Sequence, residues 1–447
     1  MTSEKRYDIT VLSLLVLALA VRIAFLMMGR PLEDQIWSDM REYTVKADMM
    51  INGEWNAMHF FQSIGYSFVI VFFKKNFENW GKALAYFQGI ISFLTVWPIF
   101  KTATEAFGKK VGLITLFFVA LYLPWIVFIN LALPETIFTF LMSLLAWFSY
   151  RLVYSENGTT KYAVAWSLSF LLAFWLKGTH VFLMPLFILG LFAIKRWKAV
   201  PNIITISAIF MAGVCLHGVL AYNTIGKFQL SSSTGGLNFI EGKCPIKNNR
   251  DSVGYSFLSP VYFQMGLFQE KKWGQPFSNS SYFMKQGLKC IQERPLVLLQ
   301  SLEAIPFLFM GNTSWPMNQM SFSELARLYE QAMAILFITG LALFAVSSFN
   351  DPDRLREFVV WGLPVLSIFL CVYVFKSEVR YRIPFDVWFI PISMAGWIKK
   401  GPVFTGPRIL EEIDVRANCD VRSIQTNIAW NELNVRIKEN ITSNRDT

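Results

Sequence analysis

The chain has 447 residues, 54% of them hydrophobic, 16% aromatic and only 16% charged. A soluble domain carries about a quarter charged residues, so this composition excludes a soluble globular protein and predicts one that crosses a membrane several times. The formal charge of +10 would suit a nucleic-acid binder, but the Lys and Arg residues lie in short connections between apolar runs. That pattern orients helices in a bilayer, so the lipid bilayer is the expected partner and nucleic acid is not.

The first run of membrane length, 9–28, follows Lys5 and Arg6 and lacks a small-residue cleavage site. It is read as a retained span with its N-terminus in the cytosol. Arg22, late in this run, is expected to snorkel outward. Next comes an acidic and aromatic segment, 37–55, within an outer first loop that extends over 29–82. On a short helix Asp39 and Tyr43 share one face, with Glu42 and Lys46 on adjoining positions. A carboxylate at the mouth of a membrane cavity can take a proton from an incoming hydroxyl or amine, or hold a divalent ion; a helix cap is the plainer alternative. His59 follows as a hydrogen-bonding or ligating candidate. The apolar stretch 64–73 is too short to cross and ends at Lys74 and Lys75, so an interfacial or re-entrant helix is expected there.

Further runs fall at 84–100, 111–131, 134–153, 162–176, 181–194, 203–222, 329–347, 358–375 and 385–398, which makes about ten spans with the first. Basic residues in the short connections (Lys101, Lys109 and Lys110; Arg151 and Lys161; Lys195, Arg196 and Lys198; Arg354 and Arg356; Lys399 and Lys400) are put inside by their charge. The opposite face then receives the first loop, the turn 133–135, the turn 177–180, the long stretch 223–327 and the segment 376–384. The apolar piece 295–310, interrupted by Glu303 and Pro306, is expected along the outer interface. The organisation predicted is a transmembrane module over 1–222, an outer-face loop region over 223–327, transmembrane helices over 328–400 and a cytosolic tail over 401–447.

Three features on the outer face add to Asp39. Glu135 stands at the start of a span, an expensive position unless it faces a cavity or a partner. Lys177 lies in a turn between two short apolar runs, sunk toward the membrane, where it calls for an anion. Lys376, Arg380 and Arg382 gather cations where the charge bias disfavours them, and Arg forks match phosphate oxygens. The Ser- and Gly-rich stretch 231–238 opens no helix and is read as a loop rather than a nucleotide cradle. Cys244 and Cys290 share the oxidising face, where a disulfide and two free thiols are both open. Five Cys and three His in no ligand-like spacing show no metal box, so no cofactor is assigned and a divalent cation is left open.

Taken in order, Asp39 and Tyr43 with Gly53-Glu54-Trp55, Gly65-Tyr66, Leu133-Pro134-Glu135, Lys177-Gly178, Gly235-Gly236-x-Asn238, the stretch 282–295 and Arg380-Tyr381-x-x-Pro384 resemble the integral-membrane glycosyltransferases of the C superfamily (GT-C). The protein O-mannosyltransferase and lipid A aminoarabinose transferase branches are the most similar. The resemblance covers most of residues 5–400, although the Pro-Pro pair of the family stands here as Ser63-Ile64 and a second acid of the first loop lacks a clear counterpart. It implies an all-α polytopic fold, a GT-C-like bundle with interfacial helices. It also implies a polyprenyl-phosphate donor carrying one sugar, and a glycan, lipid or protein acceptor. Asp39 would be the general base of an inverting transfer, with Lys177, Arg380 and Arg382 as the phosphate-binding residues. Tyr43, Glu135 and His59 would lie on the acceptor side of the cavity. Few glycosylation sequons and no retention tail favour a bacterial inner membrane with the site facing the periplasm. A transporter or flippase of a lipid-linked or small polar substrate is the main alternative, against which stands the lack of internal symmetry between two halves.

Overall fold

The computed structural model describes residues 2–155, 159–194, 200–244, 280–310, 323–348 and 354–398. The expected tail over 401–447 and much of the expected outer region, 245–279 and 311–322, lie outside the described residues. The described chain is built of helices joined by turns and short irregular connections, and no strand occurs among these residues. The N-terminal half comprises α1 (Ser3–Met28), α2 (Asp39–Ile51), α3 (Gly65–Asn76), α4 (Trp80–Phe107), α5 (Lys109–Ala120), α6 (Leu123–Val127), α7 (Glu135–Tyr154), α8 (Thr159–Leu176), α9 (Leu183–Ala193) and α10 (Val200–Ile225). It is followed by α11 (Thr234–Lys243) and the helices Ser280–Glu293, Ala304–Met310, Ser323–Ser348, Leu363–Val374, Val379–Arg382 and Asp386–Ile398.

Six of the described helices are long and apolar enough to cross a membrane, or seven if the bent pair α5 and α6 forms one span. The expected count of about ten is therefore not reached by length and composition. The apolar runs do fold as helices, but α9 has 11 residues and Asp386–Ile398 has 13, short of the ~20 that a 30 Å hydrocarbon layer requires. The break after α5 also divides the run 111–131, turning the chain by 44°.

Arg22 corrects an expectation at that break. It does not snorkel: its guanidinium is buried and donates to the carbonyls of Ala18, Val119 and Ala120 and to Ser92 Oγ. The last carbonyls of a helix have no partner within it, so where α5 stops at Ala120 it offers acceptors that a buried cation satisfies. Nearby, Trp125 Nε1 donates to the carbonyl of Ile383 and Tyr122 Oη to Asp386 Oδ2 at 2.6 Å, which joins the broken span to the C-terminal helices.

Two of the basic connections lie beside neighbouring helix ends, while Lys195, Arg196, Lys198, Lys399 and Lys400 fall outside the described residues. Arg151 at the end of α7 pairs with Glu105 at the end of α4, 2.7 Å apart, and Lys109 at the start of α5 lies 4.8 Å over the Tyr7 ring of α1. The helices Ser323–Ser348 and Asp386–Ile398 cross closely through small residues: a Cβ on Gly340 would meet Ser393 Cα at 2.7 Å. Small residues at such crossings let backbones approach when lipid supplies no hydrophobic drive between helices. On the opposite end, Cys244 and Cys290 form a disulfide with Cα atoms 5.5 Å apart, closing the alternative of two free thiols and joining α11 to the helix Ser280–Glu293. The crosslink spans 46 residues, so replacing both cysteines by Ser should lower stability by about 2–4 kcal/mol. Thermal unfolding in detergent, with and without reductant, reads this directly; reductant should have no effect on the Ser variant.

Candidate active site

Five segments separated in sequence meet around one cavity of about 1040 Å³, lined among others by Asp39, Glu42, Tyr43, Glu135, Lys177, Glu241, Lys376 and Arg380. They are the first loop, the turn before α7, the turn after α8, the stretch leading into α11, and the segment following Leu363–Val374. Pockets for small ligands run to about 1,000 Å³, so the space admits a sugar with its phosphate and an acceptor group.

The first loop presents Asp39 as the opening residue of α2, where the exposed N–H groups and helix dipole favour an anion. Ser38 before it holds φ 50° and ψ −131°, a backbone that costs a non-glycine residue about 1–3 kcal/mol and that turns the chain sharply into the helix. Below, Tyr43 packs edge-on against Tyr66 with centroids 5.3 Å apart. Tyr66 Oη donates to Gln88 Oε1, and Gln88 Nε2 donates to the carbonyls of Ile129 and Leu131. That chain of buried partners ties the floor of the first loop to the turn that delivers Glu135.

A continuous polar chain crosses the cavity. Lys46 Nζ donates to Gln62 Oε1 at 3.1 Å, and Gln62 Nε2 reaches Asp39 Oδ1 at 3.4 Å. The other oxygen, Asp39 Oδ2, accepts from Arg380 Nη1 at 2.7 Å; Arg380 Nε bonds Glu378 at 2.5 Å. Lys376 Nζ then bridges Glu378 at 3.0 Å and Glu241 at 2.9 Å. Glu241 reaches it because the next residue is glycine: a Cβ on Gly242 would collide with the carbonyl of Phe375. A second pair lies alongside, Lys177 Nζ to Glu135 Oε1 at 2.7 Å. Between the two cationic groups stands Tyr381, its ring 5.1 Å from Lys177 Nζ and 5.9 Å from the Arg380 guanidinium carbon.

Burial pushes the Asp39 carboxyl up, but the Arg380 guanidinium more than offsets this and holds it below the usual carboxylate value. Asp39 is therefore ionised at neutral pH. Glu378 is brought down to about 2, burial being outweighed by Arg380 and Lys376. Glu42 goes the other way: burial lifts it to about 7, Lys46 opposing and Asp39 reinforcing the rise.

Of the residues singled out in sequence, Asp39, Tyr43, Glu135, Lys177 and Arg380 line the cavity together. Two do not. Arg382 is fully buried on the far side, donating to Glu330 Oε2 at 2.7 Å, to Asp386 Oδ1 at 3.1 Å and to the carbonyl of Leu308. Arg380 and Arg382 stand two apart on one helical turn, and at about 100° per residue they point to opposite sides, so the expected pair of phosphate-binding arginines is reduced to Arg380. His59 is also buried and outside the lining. Its Nδ1 accepts from the backbone N–H of Asn56 in a capping box, and its ring stacks on Trp55. The stretch 231–238 differs as well: it opens α11 at Thr234, with the N–H groups of Ser233 and Thr234 bonded to the carbonyls of Phe60 and Phe61. Gln62, Glu241 and Glu378 were not anticipated as site residues. Among the described residues no group of three or more His, Cys, Asp or Glu is placed to hold a metal ion.

Helices of membrane-spanning length around a charged, ligand-sized cavity define an integral membrane protein built on an internal polar site. Residues 62–222 match the family of dolichyl-phosphate-mannose-protein mannosyltransferases. The matched segment contains Glu135 and Lys177 and leaves Asp39 and Arg380 outside it. No curated protein matches the chain. Among solved structures it is similar to the oligosaccharyltransferase AglB of Archaeoglobus fulgidus, determined with an inhibitory peptide and a dolichol-phosphate, at 11% identity and a TM-score of 0.47, over 88% of this chain and 50% of that one. It is also similar to ArnT of Cupriavidus metallidurans, determined with undecaprenyl phosphate, at 14% identity and a TM-score of 0.37, over 84% of this chain and 77% of that one. The chain thus spans about half the length of the archaeal enzyme.

Proposed function

We propose that the protein transfers a sugar from a polyprenyl-phosphate donor to an acceptor on the outer face of a bacterial inner membrane, with inversion at the anomeric carbon. The observation that carries this reading is the meeting of one ionised carboxylate, Asp39, with Lys177 and Arg380 in a single cavity. Displacing a lipid phosphate requires cations to steady the charge that develops on the leaving oxygen and a base beside the attacking group. In this role Arg380 leaves Asp39 for the incoming phosphate, Lys177 approaches the same phosphate across Tyr381, and the released Asp39 carboxylate accepts the acceptor's proton. Tyr43 and Glu135 shape the acceptor side. The disulfide joining Cys244 to Cys290 supports an oxidising compartment for this end of the molecule.

The test is reconstitution in proteoliposomes with polyprenyl-phosphate monosaccharides and candidate glycan, lipid and peptide acceptors. Free polyprenyl phosphate together with a new glycosidic bond is the expected result, whereas movement of the lipid donor across the bilayer with no glycosidic product would favour a flippase. Replacing Lys177 by Ala should raise KM for the lipid donor about 10–100-fold, the worth of one hydrogen bond to a charged group, with a smaller effect on KM for the acceptor. Initial rates at varied donor and fixed acceptor measure that split.

A further inference from the structure

One wall of the cavity is formed by α11, and the proposed reaction leaves its polar side chains without a role. Thr234, Asn238 and Glu241 all line the space, as their i, i+4, i+7 spacing on one helix allows. Thr234 is engaged with Ser232 Oγ at 3.0 Å, and Glu241 with Lys376. Asn238 stands between them, half-buried, and among the described residues its amide makes no hydrogen bond. An amide offers two N–H donors and a carbonyl acceptor, so this wall presents an unused, neutral hydrogen-bonding group to whatever fills the cavity.

The helix that carries Asn238 is held at both ends and along its back. At its start the N–H groups of Ser233 and Thr234 bond to the carbonyls of Phe60 and Phe61, and the next residue, Gln62, reaches Asp39 Oδ1. At its end Glu241 meets Lys376, which also meets Glu378, the partner of Arg380. The disulfide from Cys244 to Cys290 follows directly. Along the back, the Gly236 N–H donates to Ser280 Oγ at 3.0 Å and Lys243 Nζ to Ser301 Oγ at 2.7 Å. Both ends of α11 are thereby linked to the Asp39 and Arg380 pair, and Asn238 lies on the stretch between the two links.

We infer that Asn238 recognises the donor sugar, its amide hydrogen-bonding two neighbouring hydroxyls of the monosaccharide while Arg380 holds the phosphate. This rests on the transferase reading above. The sugar is bonded to the phosphate and must lie beside Arg380, and Asn238 is one helical turn from Glu241, at the end of the chain of contacts that leads to Arg380. The carboxylate on this face, Glu241, is already met by Lys376, so the wall suits hydroxyls rather than a charged substituent. Once the ring fills the cavity, a missing hydroxyl leaves the amide without a partner, which is how a polar site rejects a deoxy analogue.

The test uses the full chain in proteoliposomes, wild type and Asn238→Ala, with polyprenyl-phosphate mannose, glucose and galactose and then the monodeoxy forms of the hexose transferred fastest. Asn238 makes no hydrogen bond within the described protein, and Ala favours a helix, so the variant should unfold at the wild-type midpoint. Its kcat/KM for the best hexose should fall about 10–100-fold, the worth of two neutral hydrogen bonds, with KM for the acceptor unchanged. The wild type should reject the deoxy forms lacking either of two adjacent hydroxyls, and the variant should accept them as well as the parent; that non-additivity reports direct contact. An equal fall for parent and deoxy donors, or altered acceptor selectivity with the donor preference intact, overturns the assignment. Displacement of a fluorescent polyprenyl phosphate reads binding without turnover: the wild type should bind the sugar phospholipid more tightly than bare polyprenyl phosphate, and Asn238→Ala should bind both alike. If this holds while no sugar reaches any acceptor, the transferase reading fails and the sugar site stands. If the wild type transfers sugar and Asn238→Ala keeps the discrimination, the assignment of Asn238 fails and the transferase reading stands.

Discussion

Asp39→Asn should abolish sugar transfer, lowering the rate by about 10²–10⁴-fold, the range a positioned general base contributes, while the protein still inserts and folds. The amide preserves the shape of the side chain but cannot take a proton. It also weakens the grip on Arg380, which is held by Asp39 Oδ2 at 2.7 Å and by Glu378. Donor binding should therefore survive or tighten, since Arg380 is released toward phosphate without a competing carboxylate. Transfer rates and lipid-phosphate affinity measured on the same preparation separate the two effects. Loss of both would mean that Asp39 builds the site rather than acting in it.

The second large effect falls on stability. Arg382→Ala removes the cation shared by two buried carboxylates, Glu330 and Asp386, both within hydrogen-bond reach of the guanidinium. Removing one member of such a cluster costs about 3–5 kcal/mol because the remaining charges stay buried. The expected result is a marked fall in the detergent unfolding midpoint and in the yield of folded protein. Arg380→Ala, only two residues away, should remove activity and lower the midpoint less, because Asp39 is partly exposed and Glu378 keeps Lys376. Neutralising the acids together with the arginine, as Glu330→Gln and Asp386→Asn with Arg382→Met, should recover most of the loss. Unfolding midpoints of the three variants measured side by side decide the matter; equal destabilisation by Arg380→Ala and Arg382→Ala would contradict the division between cavity and core.

That division marks what the sequence could and could not disclose. The segments that the charge bias of the short connections assigns to one face are those that meet at the cavity. Asp39, Glu135, Lys177 and Arg380 were legible for that reason. The pairing among them was not, because Asp39 finds Arg380 across 341 positions of chain, a distance no local period spans. Arg382 looked equivalent to Arg380 as a cation in the same short stretch. Only the start of a helical turn at Val379 sends the two in opposite directions. Glu241 was hidden in a stretch without periodicity, and its contact with Lys376 depends on the backbone approach at Gly242. Arg22 was misjudged because the run 111–131 reads as unbroken apolar sequence, whereas the carbonyls that bury Arg22 exist only where α5 stops.

The reading of the cavity as a transferase site is tested most directly by a single-turnover experiment on the purified protein. Polyprenyl phosphate carrying a labelled monosaccharide is supplied with membranes as the source of acceptor. The wild type should move label out of the lipid donor in step with the appearance of free polyprenyl phosphate, and Asp39→Asn should bind the donor and leave it intact. Cleavage at equal rates by both proteins, or an untouched donor with the wild type across all sugars tried, would contradict the account.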